Sequence, residues 1–429
     1  MQRWSVLSAA FAGWMFAGLQ ISLFVLISRP AMRDMLPAAS EAEIGRWFAW
    51  FQCAFLLGAA AGGWLFGWLG DRVGRSRALA ASILCYSLVT AVCYFIADPY
   101  WLLALRFVAC LGVGGAWPNA VSLSVEALPH LSKALMAGLM GAAANVGFVL
   151  LGVIGFYFAI TPESWRWTLL VGAAPAVLGV WVLGWLPESP RWLAGRGARQ
   201  GPAAPQPMRD ILRPPLLNRT IIGICLGAIP VIGTSANANW LIPWADQVSS
   251  PGVAAAAAGN DAARGSPAAK KVDDPRHKAR TQITRSGGAI VGSLLGGWIA
   301  SLLGRRITYF LISLASLGIS SYIYGVLTPT HPQFALFTFL LGFVGVTYFG
   351  WLPLYLPELF PTRVRSTGTG VTFNSGRILA AASVLGAGGL MHAFGGDYAR
   401  VGTFTGLIYA VGMIVICFAP DTTRQPAEE

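Results

Sequence analysis

Apolar residues in this chain come in long unbroken runs, and polar residues are confined to the short stretches between them. A helix needs about 20 apolar residues to cross a hydrocarbon core roughly 30 Å thick. Twelve runs approach that length, at 4–28, 47–69, 77–97, 101–125, 134–158, 166–187, 219–242, 281–303, 307–327, 333–356, 367–391 and 401–420. The pattern predicts an all-α integral membrane protein with 12 transmembrane helices. The first run is long enough to be a retained span rather than a cleaved signal peptide. Two stretches fall outside it. Residues 188–218 are basic and rich in Pro and Gly, and predict a linker between two halves. Residues 249–278, with the run Ala254 to Ala258, are polar and of low complexity. They predict a disordered loop, or alternatively a helical extension of span eight. The expected organisation is a six-helix bundle over 1–187, the linker, and a second six-helix bundle over 219–429.

Composition removes the other classes. Of 429 residues, 55% are hydrophobic and only 11% charged. A soluble protein carries roughly 25% charged residues, so these charges cannot cover the surfaces of two or three soluble cores. The 17 Trp and 23 Phe exclude disorder. The net charge of +12 does not indicate nucleic acid, because Lys and Arg cluster between apolar runs. In membrane proteins such clusters mark cytoplasmic loops. With the N-terminus inside, sixteen Lys and Arg fall on the inner side, from Arg3 to Arg424. The outer side holds Arg29, Arg33, Arg46, Arg166 and Arg400, with the rest in the long loop or within spans. The expectation is therefore a multi-pass cell-membrane protein with both termini cytoplasmic. The six cysteines, Cys53, Cys85, Cys93, Cys110, Cys225 and Cys417, lie in apolar runs without metal-ligand spacing and read as buried hydrophobes.

The halves repeat each other. A shift of 230 residues carries Gly58, Ala59, Gly62, Leu65, Gly67, Trp68, Gly74 and Arg75 onto Gly288, Ala289, Gly292, Leu295, Gly297, Trp298, Gly304 and Arg305. A shift of 232 carries Glu126 and Pro129 onto Glu358 and Pro361, with Lys133 on Arg365. A shift of 233 carries Pro187 onto Pro420 and sets Glu188 against Asp421. Such repeated bundles build transporters whose substrate site lies between the copies near the midplane.

The stretch Gly67-Trp-Leu-Gly-Asp71-Arg72-Val-Gly74-Arg75-Ser-Arg77 resembles the loop signature of the major facilitator superfamily. Its second copy has Ser301 where Asp71 stands. Further matches are Arg106 to Gly115 with Pro118 and Glu126 in span four, Pro187 to Leu193 with Glu188 and Arg191 after span six, and Pro357 to Arg365 after span ten. These resemble the sugar-porter and organic-ion (metabolite symporter) branches. Glu358-Leu-Phe-Pro-Thr and Gly13-Trp14-Met15-Phe16 lean toward the organic-ion side. The resemblance implies two bundles working by alternating access. It also implies that Asp71 meets the start of span eleven near Ser366, as one half of an asymmetric inner latch. Arg72, Arg75, Arg77, Glu126, Glu188 and Arg191 in the first half, and Arg305, Arg306, Glu358, Arg365 and Asp421 in the second, all fall at inner helix ends. They would act as a gating network, since exposed pairs are individually weak.

Ionisable residues inside spans are costly and functional by default. On the span boundaries above, Arg106, Arg285 and Arg377 qualify, and no Asp or Glu does. Arg377 is about eleven residues into span eleven, roughly 16 Å deep at 1.5 Å per residue. A guanidinium pairs bidentately with a carboxylate or phosphate, so three arginines without carboxylates point to an organic anion. Neutral polar candidates around the same cavity are Asn145, Asn237, Asn239, Trp240, Gln282, Tyr348 and Asn374. Each alone serves equally as helix-packing glue. Trp14 and Trp351 could stack on a ring but read as packing. Gln20 stands where proton-coupled members of the resembling family carry an acid, and Gln cannot cycle a proton. His130, His277, His331 and His392 lie near loops and are poor substitutes. The reading is a monomeric secondary transporter of a small organic solute, foremost an organic anion, with no cofactor, no metal and no nucleic acid. Cation- or proton-coupled symport of a sugar or other neutral metabolite stays open, as does, more remotely, a transporter-like sensor. No span holds the His, Asp and Glu needed for an enzyme's acid–base or metal chemistry.

Overall fold

The computed structural model describes residues 2–127, 133–188, 192–193, 207–249, 274–361 and 364–422. The regular structure among the described residues is all helical. The first bundle comprises α1 (Gln2–Met35), α2 (Glu41–Val73), α3 (Arg75–Cys93), α4 (Pro99–Ala127), α5 (Lys133–Tyr157) and a sixth span broken into α6 (Trp167–Ala173) and α7 (Ala176–Trp185). A short α8 (Pro207–Ile211) precedes the second bundle. There the seventh span is α9 (Leu216–Ile232), a π-type turn over Gly233–Asn237, a 3₁₀ turn over Ala238–Trp240, and α10 (Leu241–Val248). It is followed by α11 (His277–Leu303), α12 (Arg305–Gly325), α13 (Phe334–Glu358), α14 (Arg365–Ala393), and a last span in two pieces, α15 (Tyr398–Gly406) and α16 (Ile408–Phe418).

Among the described residues, eleven spans are long and apolar enough to cross a membrane. The twelfth, α14, is equally long but carries Arg365, Arg377 and many small polar residues, and it packs along α2 and α9. The protein is a multi-pass membrane protein. Helix ends follow local chemistry. Ser40 caps α2 by accepting from the Glu43 amide, the first half of a capping box. Asp98 accepts from the amides of Tyr100 and Trp101 to start α4.

Three boundaries read from hydropathy are corrected. Span one continues beyond residue 28 to Met35, span seven beyond 242 to Val248, and span eight begins at His277, inside the stretch taken as outer loop. Polar residues end a hydropathy run but not a helix whose charges pair. As a result, Arg29, Asp246 and Lys278 all lie inside helices and are buried. The expectation that only Arg106, Arg285 and Arg377 are ionisable within spans, and that no carboxylate is, does not hold.

The duplication is visible in the backbone. A Cβ on Gly62 would stand 1.9 Å from the Leu111 carbonyl oxygen, and one on Gly292 would stand 2.1 Å from that of Phe343. These are repeat-related contacts, α2 on α4 and α11 on α13, closed so tightly that only glycine fits. Gly74 and Gly304 likewise share positive φ, 115° and 83°, at the turn into the following helix, a conformation costly for any other residue.

The bundles meet along two antiparallel seams, α2 against α14 and α5 against α11, and α1 touches α10. Apolar packing differs at the two ends. On the side away from the termini (the far side) one cluster takes in both bundles, with Leu23, Phe48 and Phe51 beside Trp240, Trp244, Tyr324 and Met391. On the near side the packing divides into two. One cluster runs from Val6 to Leu186 within the first bundle, and the other from Ile211 to Ala419 within the second. Among the described residues the apolar packing is shared by the bundles at the far side and divided at the near side.

Candidate functional site

The sequence candidates fall near one level of the membrane. Arg106 on α4 donates from Nη1 to the Gln20 carbonyl of α1 at 2.9 Å, and its guanidinium lies 4.5 Å over the Phe24 ring. One helix over, a Cβ on Gly58 of α2 would touch the Phe107 carbonyl. Next to Gly58, Ala59 offers its carbonyl across the seam to Nη1 of Arg377 at 3.2 Å. On the other seam the guanidinium of Arg285 lies 5.6 Å over the Phe148 ring of α5, and Gln282 Nε2 donates to the Phe148 carbonyl at 2.9 Å. Gly147, beside Phe148, packs against Leu19 of α1, which returns to the level of Gln20. Arg285 and Arg377 therefore reach from the second bundle toward the first, one across each seam.

None of these three arginines forms an ion pair among the described residues. Arg106 and Arg285 are buried and Arg377 is half-buried. Nε of Arg106 and of Arg285 has no partner. Burying a guanidinium without a counter-charge costs several kcal/mol, roughly, in a protein interior. Carbonyls and aromatic faces offset only part of that.

The break in span seven faces the same region. Pro230 and the π-type turn free backbone groups where a regular helix would hide them. The contact of Asp246 with Lys278 joins α10 to α11. Asn239 Oδ1, Trp240 Nε1, Gln282 Oε1 and Ser286 Oγ are buried without protein partners. Of these, Gln282 and Ser286 lie on the same helix as Arg285, within one turn of it. Trp240 also packs edge-on against Phe48 of the first bundle at 5.0 Å.

Other candidates are engaged elsewhere. Gln20 is fully buried inside the first bundle, where Nε2 donates to the Gly172 carbonyl at 2.5 Å and Oε1 accepts from Thr90 at 3.0 Å. Asn237 donates to the Gly402 carbonyl and Thr405, and accepts from Ser320. Tyr348 shares a 2.7 Å hydrogen bond with Ser313. These three residues have their polar groups paired within a single bundle. Asn145 and Asn374 each donate to a carbonyl one turn back in their own helix and are half-buried. Trp14 packs on Trp117, and Trp351 donates to the Arg305 carbonyl.

The near-side charges tie each bundle to itself. Both Glu188 carboxylate oxygens accept from the Ser76 amide at the start of α3, at 3.1 and 3.2 Å, and Ser76 Oγ donates to the Pro187 carbonyl. The repeat-related position, Arg306, donates from Nε to the Ala419 carbonyl at 2.6 Å. Arg305 pairs with Glu358 at 2.8 Å, and Glu358 also accepts from Thr422. Arg365 donates to the Phe360 carbonyl, and Arg72 lies 4.2 Å over Trp68. Arg77 and Asp421 are exposed, Arg75 is half-buried, and Gly67 stands in open space. The side chains of Asp71, Glu126 and Arg191, and that of Ser366 at the expected end of the latch, lie outside what the structure describes, as does the stretch 250–273. Ser301 donates to the Gly297 carbonyl of its own helix.

Sequence reasoning missed the far-side charges. Asp246 Oδ2 accepts from Arg29 Nη1 at 3.0 Å and Oδ1 from Lys278 at 2.8 Å. Arg29 also pairs with Glu41 at 2.6 Å, and Glu41 with Arg33. Three of these residues, Arg29, Asp246 and Lys278, sit just past the hydropathy boundaries, so a search for helix continuation across those boundaries would have found them.

Comparison with known proteins agrees with this architecture. Residues 7–209 match the sugar (and other) transporter family. The niacin transporter of Acinetobacter baylyi is 26% identical over 428 residues, covering 97% of this chain and 93% of its own. A gallate transporter from Pseudomonas putida is 32% identical over 203 residues, 47% of this chain and 43% of its own. The xylose transporter XylE from E. coli, in a partially occluded inward-open conformation, matches with a TM-score of 0.70 at 16% identity and covers 99% of both chains.

Proposed function

We propose that the chain is a secondary transporter of the major facilitator superfamily rather than an enzyme, and that its solute is a small organic anion, foremost an aromatic carboxylate. The observation that carries this reading is the pair Arg285 and Arg377, reaching across the two seams without a carboxylate partner among the described residues. A substrate carboxylate supplies the missing charge, and the guanidinium fork matches its two oxygens. The unpaired polar atoms of Asn239, Trp240, Gln282 and Ser286 then take ring substituents. Niacin and gallate, in the names of two relatives, are both carboxylates on a six-membered aromatic ring, in keeping with that chemistry. Arg106 is held by α1 carbonyls and serves to fix α1 on α4 under the site.

The excess of Lys and Arg on the near side supports placing that side in the cytoplasm. With this orientation the far side is external, both termini are cytoplasmic, and the split near side is an inward-facing arrangement. Alternating access then requires the shared far-side core to part while the near-side clusters come together.

The test is equilibrium binding of nicotinate, gallate, xylose and nicotinamide to the purified protein. Binding of a carboxylate that is lost in Arg285→Ala and Arg377→Ala supports the reading. Binding of xylose that both variants leave intact would overturn it in favour of neutral-solute transport.

A further inference from the structure

We propose that the far-side ends of α11 and α13 form a binding site for an anionic phospholipid, with the lipid phosphate held in the cleft between them. The cleft has a volume of about 230 Å³ and is lined by His277, Arg280 and Thr284 of α11, His331 of the loop before α13, and Thr338 of α13. It is separate from the solute layer: Arg280 is exposed where Arg285, on the same helix, is buried.

The polar groups of the cleft are set up to donate. His277 gives its Nε2 proton to the Pro329 carbonyl at 3.0 Å, because a carbonyl can only accept. His331 Nδ1 accepts from the Gln333 amide at 3.2 Å. A neutral imidazole that accepts at Nδ1 carries its proton on Nε2. The other nitrogen of His331 is therefore a donor and not a metal ligand. The Arg280 guanidinium meets Asp274 through Nη2 at 3.5 Å, which leaves the rest of its fork for an anion. Thr338 is fully buried at the floor of the cleft, and its Oγ1 has no partner. Thr281 and Thr347 donate to the carbonyls of His277 and Phe343, one turn back in their own helices, and Thr338 does not. The charges at the mouth are Arg276 and Arg280, both over the Phe156 ring of α5 at 5.7 and 5.6 Å, against Asp274. Lys278 is held by Asp246. Positive charge is in excess, and the donors match the oxygens of a phosphate.

The surroundings favour a lipid over a free anion. The 27 residues of α11 span about 40 Å at 1.5 Å per residue, which puts its first turn at headgroup level. Exposed Tyr157 at the end of α5 marks the same level, where aromatic residues gather in membrane proteins. From Arg280 one face of α11 runs through Thr284, Gly287, Val291, Leu294 and Trp298, at helical spacing. Val291, Leu294 and Trp298 are exposed, as membrane-facing side chains are. A Cβ on Gly287 would meet nothing nearer than Phe339 of α13, at 4.0 Å. A shallow apolar groove thus continues from the cleft toward the membrane centre. A phosphodiester in the cleft lays its acyl chains along that groove, and a free anion has no use for it. A headgroup amine would add a further cation beside Arg276 and Arg280, so the fit is to a lipid of net negative charge. The inference does not depend on which solute is carried or on which side of the membrane the far side faces.

The experiment is native mass spectrometry of the purified full chain, titrated with phosphatidylglycerol or with phosphatidylcholine of identical acyl chains. The wild type should bind its first phosphatidylglycerol more tightly than its first phosphatidylcholine. Arg280→Gln should weaken that first phosphatidylglycerol at least about tenfold, the worth of one charged hydrogen bond, and leave phosphatidylcholine unchanged. Thr338→Val keeps the side-chain shape. It should weaken phosphatidylglycerol as well, while raising the unfolding temperature of the lipid-free protein by removing an unpaired buried hydroxyl. A residue that only shaped the fold would not do both. Arg377→Ala, in the solute layer, should keep the full lipid affinity, so failure of the lipid site and failure of the solute reading are distinguishable. Equal first-site affinity for the two lipids overturns the inference, and so does an Arg280→Gln protein that binds phosphatidylglycerol like the wild type. Glycerol phosphate that binds as tightly as the lipid, and is lost in the same two variants, overturns it in favour of a free-anion site.

Discussion

Replacing Arg377 with Ala removes a mid-membrane charge and one hydrogen bond across the α2–α14 seam. The bond is a 3.2 Å contact to the Ala59 carbonyl. A hydrogen bond between charged groups contributes about 1.5–3 kcal/mol net. At about 1.36 kcal/mol per tenfold, losing it should weaken carboxylate binding roughly 10- to 150-fold. Losing the Ala59 contact acts on the seam, lowering stability by about 1 kcal/mol without distinguishing one ligand from another. Arg377→Lys keeps the charge but loses the planar fork and should fall between the two. The assay is calorimetric binding of nicotinate and of nicotinamide, which share a ring and differ in charge, with thermal unfolding measured in parallel. The charge reading requires that Arg377→Ala penalise the acid far more than the amide. Equal losses for both ligands would show that Arg377 shapes the site through the seam, and the electrostatic reasoning would fail.

Arg285→Ala should weaken the same acid by a comparable factor, and Arg285→Ala with Arg377→Ala should cost less than the product of the two if one carboxylate touches both, as a double-mutant cycle would report. A monoanion entering against −100 mV works against about 2.3 kcal/mol, roughly fiftyfold in concentration, so proteoliposome flux should follow imposed voltage more strongly than an imposed pH gradient. Gly74→Ala should lower the unfolding temperature markedly, because φ is 115° and the new Cβ would stand 2.0 Å from Glu188 Oε2. Glu188→Gln should cost less, about 1 kcal/mol, since the amide oxygen still accepts from Ser76 while the favourable charge at the α3 N-terminus is lost.

Much of the fold was legible because it rests on long-range regularity. Twenty-residue apolar runs fix the span number, and Gly62 and Gly292 announce their close approach in the repeat itself. What could not be read was where helices end once charges pair. Hydropathy cuts span seven before Asp246 and span eight after Lys278, although each makes the other tolerable inside the protein. The site was legible by residue type but not by direction. Arg285, Arg377 and Gln282 turn to the seams. Gln20, Asn237 and Tyr348, equally polar and equally deep, turn into their own bundles, because partners such as Gly172, Gly402 and Ser313 come from segments far along the chain. Asn237 looks like a ligand in a list of polar residues, yet it knits the break in span seven to α12 and α15.

The two populations of charge divide the labour of transport. At the helix ends Glu358 holds Arg305 and Asp246 holds Lys278, and these pairs are satisfied without solute. In the middle layer Arg285 and Arg377 lean on an aromatic face and one backbone carbonyl, contacts that neutralise nothing. A charge-assisted bond is roughly twice as strong as a neutral one, so an arriving carboxylate outcompetes the Ala59 carbonyl for Arg377 and changes what holds α14 to α2. The same event leaves the far-side pair of Arg29 and Asp246 untouched, since neither is placed against Arg285 or Arg377 by the contacts among the described residues. Solute binding therefore acts on the seams and not on the far-side pair, and the two can be separated by experiment: a carboxylate should change the thermal stability of Asp246→Asn as it does that of the wild type.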